Sequence, residues 1–116
     1  MTTLRMTRGD GREYVVTILD SAGAAVDIAT STLTFTARRS YTGEIVITKT
    51  TGDGITATAT TGQATLTIDP ADTATLPDAM TDLLWDIEVT DSAGNPQTPL
   101  DGVLRIRPDF STAEGS

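Results

Sequence analysis

Polar and apolar residues alternate with a period of two along most of this chain, the mark of strands that bury one face. Residues 13–20 place Tyr14, Val16 and Ile18 on one face. Residues 32–39 alternate Leu33, Phe35 and Ala37 with Thr32, Thr34, Thr36 and Arg38. Residues 45–50 alternate again and are expected to pair, as an edge strand, with the strand at 32–39. Shorter stretches at 3–7, 55–60 and 63–69 predict further strands, the first facing Leu4 and Met6 inward and the last Ala64, Leu66 and Ile68. Val26 and Ile28 read as a short extended piece across one end.

The strongest unit is residues 82–108, two strands joined by a turn. Trp85, Ile87 and Val89 alternate with Leu84, Asp86, Glu88 and Thr90; the second strand is expected around Val103, Leu104 and Ile106, followed by Arg107. Asp91, Ser92, Ala93, Gly94, Asn95 and Pro96 between them are dense in turn formers. Further turns fall at 8–11, 20–23, 40–44 and 52–54, and Gly62 breaks the strand before it. Asp69 followed by Pro70 predicts a capped helical turn that Pro77 keeps short, with Ala74 or Leu76 as a plug. The strand at 15–20 running into Asp20-Ser21-Ala22-Gly23 is echoed at Asp86 to Gly94; two copies of a good strand-plus-turn solution do not make a repeat array.

Composition agrees with an all-β chain. Threonine is the commonest residue, 24 of 116, and its branched Cβ suits a pleated, half-exposed surface. The length fits one domain able to bury a two-layer core. Residues 1–108 are read as that domain and 109–116 as a polar tail in which only Phe110 stands out.

Charge and missing residue types narrow the chemistry. The chain has no cysteine and no histidine, which removes disulfides, thiolate metal sites and imidazole-based catalysis. A net charge of −8 argues against nucleic acid as partner. Neither an 18-residue apolar run nor a signal-peptide pattern occurs, so no membrane is expected.

Four groups carry a sharper reading beside a plain one. Arg8-Gly9-Asp10 spells an integrin-binding tripeptide, or is simply a loop. Asp53, Asp69 and Asp72 would suit a calcium ion if their loops converged. Asp86 and Glu88 share a strand face, as glycoside hydrolysis requires, but Arg105 and Arg107 on the next strand offer ordinary cross-strand pairing. Trp85 beside Ile87 and Val89 reads as core; exposed next to Tyr41 it would instead serve a sugar-binding groove.

The order of motifs resembles a group of bacteriophage tail modules. These have an RGD-type start before a strand, matched by Thr7-Arg8-Gly9-Asp10, then a D-x-x-G-x-x-V-D-[LI] turn, matched from Asp20 to Ile28, and a T-x-x-F strand at Thr32 to Phe35. Ile68 to Pro77, Leu84 to Val89 and Asp91 to Asn95 match their later P-x-D-T-x-x-L and Y-x-[YW]-D-[IV] segments. The resemblance is to the N-terminal immunoglobulin-like domain of phage baseplate upper proteins, and covers about 100 residues in short pieces. In those proteins a further region anchors receptor-binding proteins, whereas this chain is read as the module alone.

The resemblance implies an immunoglobulin-like antiparallel β-sandwich of about seven strands with one short helical turn. It implies a non-catalytic virion structural protein, made in the host bacterial cytoplasm, that needs no cofactor, docks on other virion proteins and could form a homo-oligomer within the particle. Tail, baseplate or fibre attachment is the first expectation; capsid decoration, a head or neck position, or carbohydrate binding are the alternatives. The expected contact residues are Leu4, Ile45 and Ile47 on edge strands, Arg38 and Arg39 as part of a contact surface, and Phe110 in the tail.

Overall fold

A computed structural model describes residues 2–19, 22–26, 28, 30–40, 43–57, 62–74, 76 and 79–108. Among them are eight strands and one short helix: β1 (Thr2–Thr7), β2 (Arg12–Thr17), β3 (Thr32–Arg38), β4 (Ile45–Thr51), β5 (Gly54–Ala57), β6 (Gln63–Ile68), α1 (Pro70–Ala74), β7 (Thr81–Thr90) and β8 (Pro96–Arg107). Hydrogen bonding runs in the order β1-β8-β7-β3-β4-β5-β6-β2. The β4–β5 link consists of two paired residues, Thr50 with Gly54 and Thr51 with Ile55, so the ribbon folds over at this corner. One layer is then β1-β8-β7-β3-β4 and the other β5-β6-β2. This partition of strands is that of an immunoglobulin-like sandwich.

The alternation in the sequence becomes the core. Leu33, Phe35 and Ala37 of β3, Leu83, Trp85 and Ile87 of β7, and Ala64, Leu66 and Ile68 of β6 are buried in one apolar cluster. Phe35 and Trp85 meet with ring centroids 5.7 Å apart and planes tilted by 31°. Ile28 closes one end, buried, and Val26 donates its N–H to the Ile18 carbonyl at 3.0 Å.

Four expectations are corrected. First, β1 runs parallel to β8, so the sheet is mixed. Second, β8 begins at Pro96, seven residues before Val103. Its early part escapes the strand pattern because it holds Pro96 and Pro99. Both are tolerated there: β1 pairs with β8 only from Gly102 onward, and the β7–β8 register breaks between Ile87 and Val89. Ile87 faces Leu100 and Val89 faces Gln97, so two residues of β8 stand against Glu88 alone. Proline within sheets is confined to such edges and bulges.

Third, this longer strand resets the charges across the hairpin. Asp82, not Asp86 or Glu88, faces Arg105, and Asp86 faces Asp101. Fourth, Ile47 is 2% exposed and belongs to the core, so its side chain is not a partner contact. A bulge separates it from Ile45: Ala37 pairs with Ile47 but Arg38 pairs with Ile45, leaving Val46 as the extra residue. In a regular strand Ile45 and Ile47, two residues apart, would share a face; with Val46 bulged out, Ile47 turns inward and Ile45 is 51% exposed.

Candidate docking face

The RGD-type segment and α1 are one structural device. Asp69 precedes the helix, Pro70 occupies its first position, and the Asp72 carboxylate accepts the Asp69 N–H at 2.7 Å. That is half of a reciprocal capping box. At the other end Arg8 donates from Nε to the Leu76 carbonyl and from Nη2 to the Ala74 carbonyl, both at 2.8 Å. These are carbonyls a helix end leaves without partners. The Gly9 N–H donates to the hydroxyl of fully buried Thr73 at 2.8 Å. The guanidinium that an integrin would read is therefore engaged in holding a helix end.

Lys49 meets the same helix from below. It follows Ile47 on the inward face of β4 and is 7% exposed. Its Nζ lies 2.8 Å from Asp72 and 3.3 Å from Asp69. Burial alone would push the ammonium pKa down; the hydrogen bonds it donates to Asp72 and Asp69, with their negative charge, outweigh it and hold the group above its ordinary value. Asp69 and Asp72 thus converge on a lysine, and among the described residues no three carboxylates gather as a metal site would require.

The outer face of the five-stranded layer has the other concentration of charge. Its membership follows from register. Arg5 faces Arg105 and Thr7 faces Arg107 across β1 and β8. Asp82 faces Arg105, Leu84 faces Val103, and Asp86 faces Asp101 across β7 and β8. Thr36 and Arg38 of β3 stand beside Asp86 and Leu84. Arg105 grips Asp82 with two hydrogen bonds, Nε to Oδ1 at 3.0 Å and Nη2 to Oδ2 at 3.1 Å. Those bonds, with help from Arg5, hold the Asp82 carboxyl below its usual pKa. Asp86 is displaced the other way: burial raises it first, then Glu88, with Asp101 adding and Arg38 opposing. Thr36, Arg38, Asp86, Thr98 and Asp101 line a shallow depression there.

The anticipated contact residues spread over this layer and its rim. The strand carrying Leu4 is an edge, as expected, but the Leu4 side chain packs partly against the core. The backbone of that edge is partly covered, because the Tyr14 hydroxyl donates to the Arg5 carbonyl at 2.6 Å. Arg38 is half-buried and donates to the Gly43 carbonyl at 3.1 Å; Arg39 is exposed. Ile45 lies on the part of β4 that has β3 on one side and, among the described residues, no strand on the other. Phe110 and Tyr41 lie outside the described residues. Trp85, 4% exposed, offers no stacking platform, and its indole N–H is buried without a partner among the described residues. The arginine row of β1 and β8 and the role of Asp101 were missed in the sequence. Polar positions of β1 were signal enough for Arg5, while Asp101 needed the true start of β8.

No protein-family model matches the chain, and no curated protein matches it. Among solved structures it is similar to one of murine CRIg, with 9% sequence identity, 90% of each chain covered and a TM-score of 0.43.

Proposed function

We propose that this chain is a non-catalytic bacteriophage virion protein, an immunoglobulin-like adaptor that docks on neighbouring proteins of the tail, baseplate or fibre attachment region. One observation carries most of the weight. Two of the segments on which the phage resemblance rests meet: Arg8 donates to the Ala74 and Leu76 carbonyls, and the Gly9 N–H donates to the Thr73 hydroxyl. Motifs that hold each other in place form one unit, which supports reading their shared order with the phage modules as more than a coincidence of letters. The charged outer face, the free flank of β4 and the β1 edge supply surface for docking without catalysis. Sheet edges of this kind are ordinary places for another chain to bind.

The test is quantitative mass spectrometry of purified particles from the source that encodes the chain. The reading expects the protein in fixed ratio to the tail proteins, with antibody labelling at the tail. Particles that lack it overturn the reading, and labelling over the head moves it to capsid decoration.

A further inference from the structure

Four of the chain's eight basic residues meet in one place. Arg5, Arg12, Arg105 and Arg107 line an open concavity of about 380 Å³, where the β1 edge of one layer comes up to the β2 edge of the other. That volume is within the range of about 300–1,000 Å³ usual for ligand clefts. Register accounts for three of the four. Arg5 faces Arg105 across β1 and β8, and Thr7 faces Arg107 two residues further on, so one outward face carries all three guanidinium groups. Arg12 arrives from the other layer. Its guanidinium lies 5.6 Å from the centroid of the Tyr14 ring, and the Tyr14 hydroxyl donates to the Arg5 carbonyl at 2.6 Å. A single ring thereby holds Arg12 at the seam beside the arginines of β1 and β8.

Charge in the concavity is not balanced. Two carboxylates stand by the four arginines: Asp10 on the rim, and Asp82, which takes two of the five N–H donors of Arg105. Glu13 alternates to the other side of β2 from Arg12. Among the described residues this leaves a local excess of positive charge on a chain of net charge −8. Like charges directly opposite in a sheet, as Arg5 and Arg105 are, destabilise it. A carboxylate set between them turns that repulsion into attraction. Met80, 60% exposed, lies on the same rim. Arginine and methionine are both enriched where proteins meet.

From this we infer that the concavity is a docking site for an acidic, extended segment of a partner protein. Arg105 and Arg107 lie two residues apart on one strand face, about 7 Å at strand rise. An extended segment with carboxylates at alternate positions presents them at the same repeat, and a guanidinium takes a carboxylate as a two-pronged fork. An apolar side chain flanking those carboxylates covers Met80. A long polyanion suits the site less well. Its charge continues beyond the patch onto an acidic chain, and screening over about 8 Å keeps the attraction local. The inference rests on the docking reading and gives its partner a chemistry; particle composition tests that reading, while peptide binding to the isolated chain tests this one.

The experiment is an NMR titration of the isotope-labelled chain at low salt. The probe is the acetylated and amidated peptide Leu-Ser-Glu-Ser-Glu-Ser-Leu, beside its glutamine counterpart, inorganic sulfate and dextran sulfate. The glutamate peptide is expected to shift the Nε–H signals of Arg5, Arg12 and Arg107 and to saturate with a Kd below about 1 mM. The glutamine peptide is expected to bind at least about tenfold more weakly, and added salt to weaken the glutamate peptide. Arg12→Gln with Arg107→Gln is expected to lose at least about tenfold in affinity. Arg39→Gln, at an exposed arginine outside the concavity, is expected to bind as wild type does. Circular dichroism confirms folding of each variant. If the double variant fails to fold, Arg12→Gln alone and the wild-type shift map take its place. Four results would each overturn the inference: no shift with the glutamate peptide, equal binding of the glutamine peptide, undiminished binding by the folded Arg12 variant, or shifts confined to the β5-β6-β2 layer away from Arg12. Sulfate or dextran sulfate that moves the same signals as strongly at matched charge also overturns it, in favour of a general anion site.

Discussion

Arg8 Nε lies 2.8 Å from the carbonyl oxygen of Leu76, joining the start of the chain to a turn 68 residues later. The same guanidinium reaches Ala74 with its Nη2. Hydrogen bonds from a charged donor are each worth about 1.5–3 kcal/mol, less where water competes. Arg8→Ala is expected to cost about 2 kcal/mol of unfolding free energy in a urea titration. Arg8→Lys is expected to recover less than half, because a point ammonium cannot serve two divergent carbonyls as a planar fork does. An Arg8→Lys variant as stable as wild type would show that charge alone, not the fork, holds the helix end.

Lys49 and Asp72 form the most enclosed ion pair among the described residues. Asp72→Ala leaves Lys49, 7% exposed, with Asp69 alone. Breaking one side of such a pair costs about 3–5 kcal/mol when fully buried; part exposure of Asp72 brings the expectation to about 2 kcal/mol. Lys49→Met is expected to cost less, since its carboxylate partners turn to water. The pH dependence has a definite sign. The folded-state pKa of Lys49 is raised, so its contribution is complete below the ordinary lysine range and is lost as pH rises through the folded value. Alkaline denaturation of wild type should show a falling limb that Lys49→Met lacks.

Asp86 and Asp101 sit directly opposite across β7 and β8. The Asp86 pKa is raised, by burial first and then by its acidic neighbours. The folded state therefore holds that proton more tightly than the unfolded state. Stability falls as pH rises from the ordinary carboxylate value through the raised one, and recovers on acidification. Asp101→Asn is expected to stabilise the chain by about 0.2–1 kcal/mol at neutral pH and to lower the Asp86 pKa. Carboxyl-carbon NMR titration in high salt reads both; an unmoved Asp86 titration would contradict the pairing.

Gly54 adopts φ of +97°, and a Cβ added there would collide with the Lys49 side chain at Cδ and Cγ. An L-residue at left-handed φ costs about 1–2 kcal/mol before any clash. Gly54→Ala is expected to destabilise by more than that in thermal unfolding, and Lys49→Ala to relieve part of the loss. Gly94, whose φ is +87° but whose Cβ would meet open space, should tolerate alanine at the lower figure.

Trp85 is 4% exposed with an unpartnered indole N–H. Its fluorescence is expected to be blue-shifted and weakly quenched by acrylamide. Trp85→Phe removes a buried donor whose desolvation costs about 1–3 kcal/mol, which offsets lost packing against Phe35; a net change below about 1.5 kcal/mol is expected on chemical denaturation.

Much of the sandwich was legible in the chain itself. β3, β6 and β7 alternate without interruption, and each strand placed in them buries the residues that period two selects. Asp69 and Pro70 announced α1, because capping chemistry is local. The candidate docking face was legible only in part. Arg38, Arg39 and Ile45 were identified from the sequence, but the arginine row and its acidic counterpart were not, since they depend on which residue stands opposite which.

That division has a physical cause. Sequence by itself determined local matters: which residues favour strands, where turns fall, which faces are apolar and how α1 begins. Tertiary structure decided the rest. A bulge opposite Glu88 set the β7–β8 register and so paired Asp86 with Asp101, where the unbulged register would have placed Leu100. A second bulge, at Val46, sent Ile47 inward and Ile45 outward. The parallel docking of β1 on β8 brought Arg5 to Arg105, a hundred residues apart in the chain. In each case one inserted residue or one long-range pairing changes which side chains meet, while the local pattern on either side stays the same.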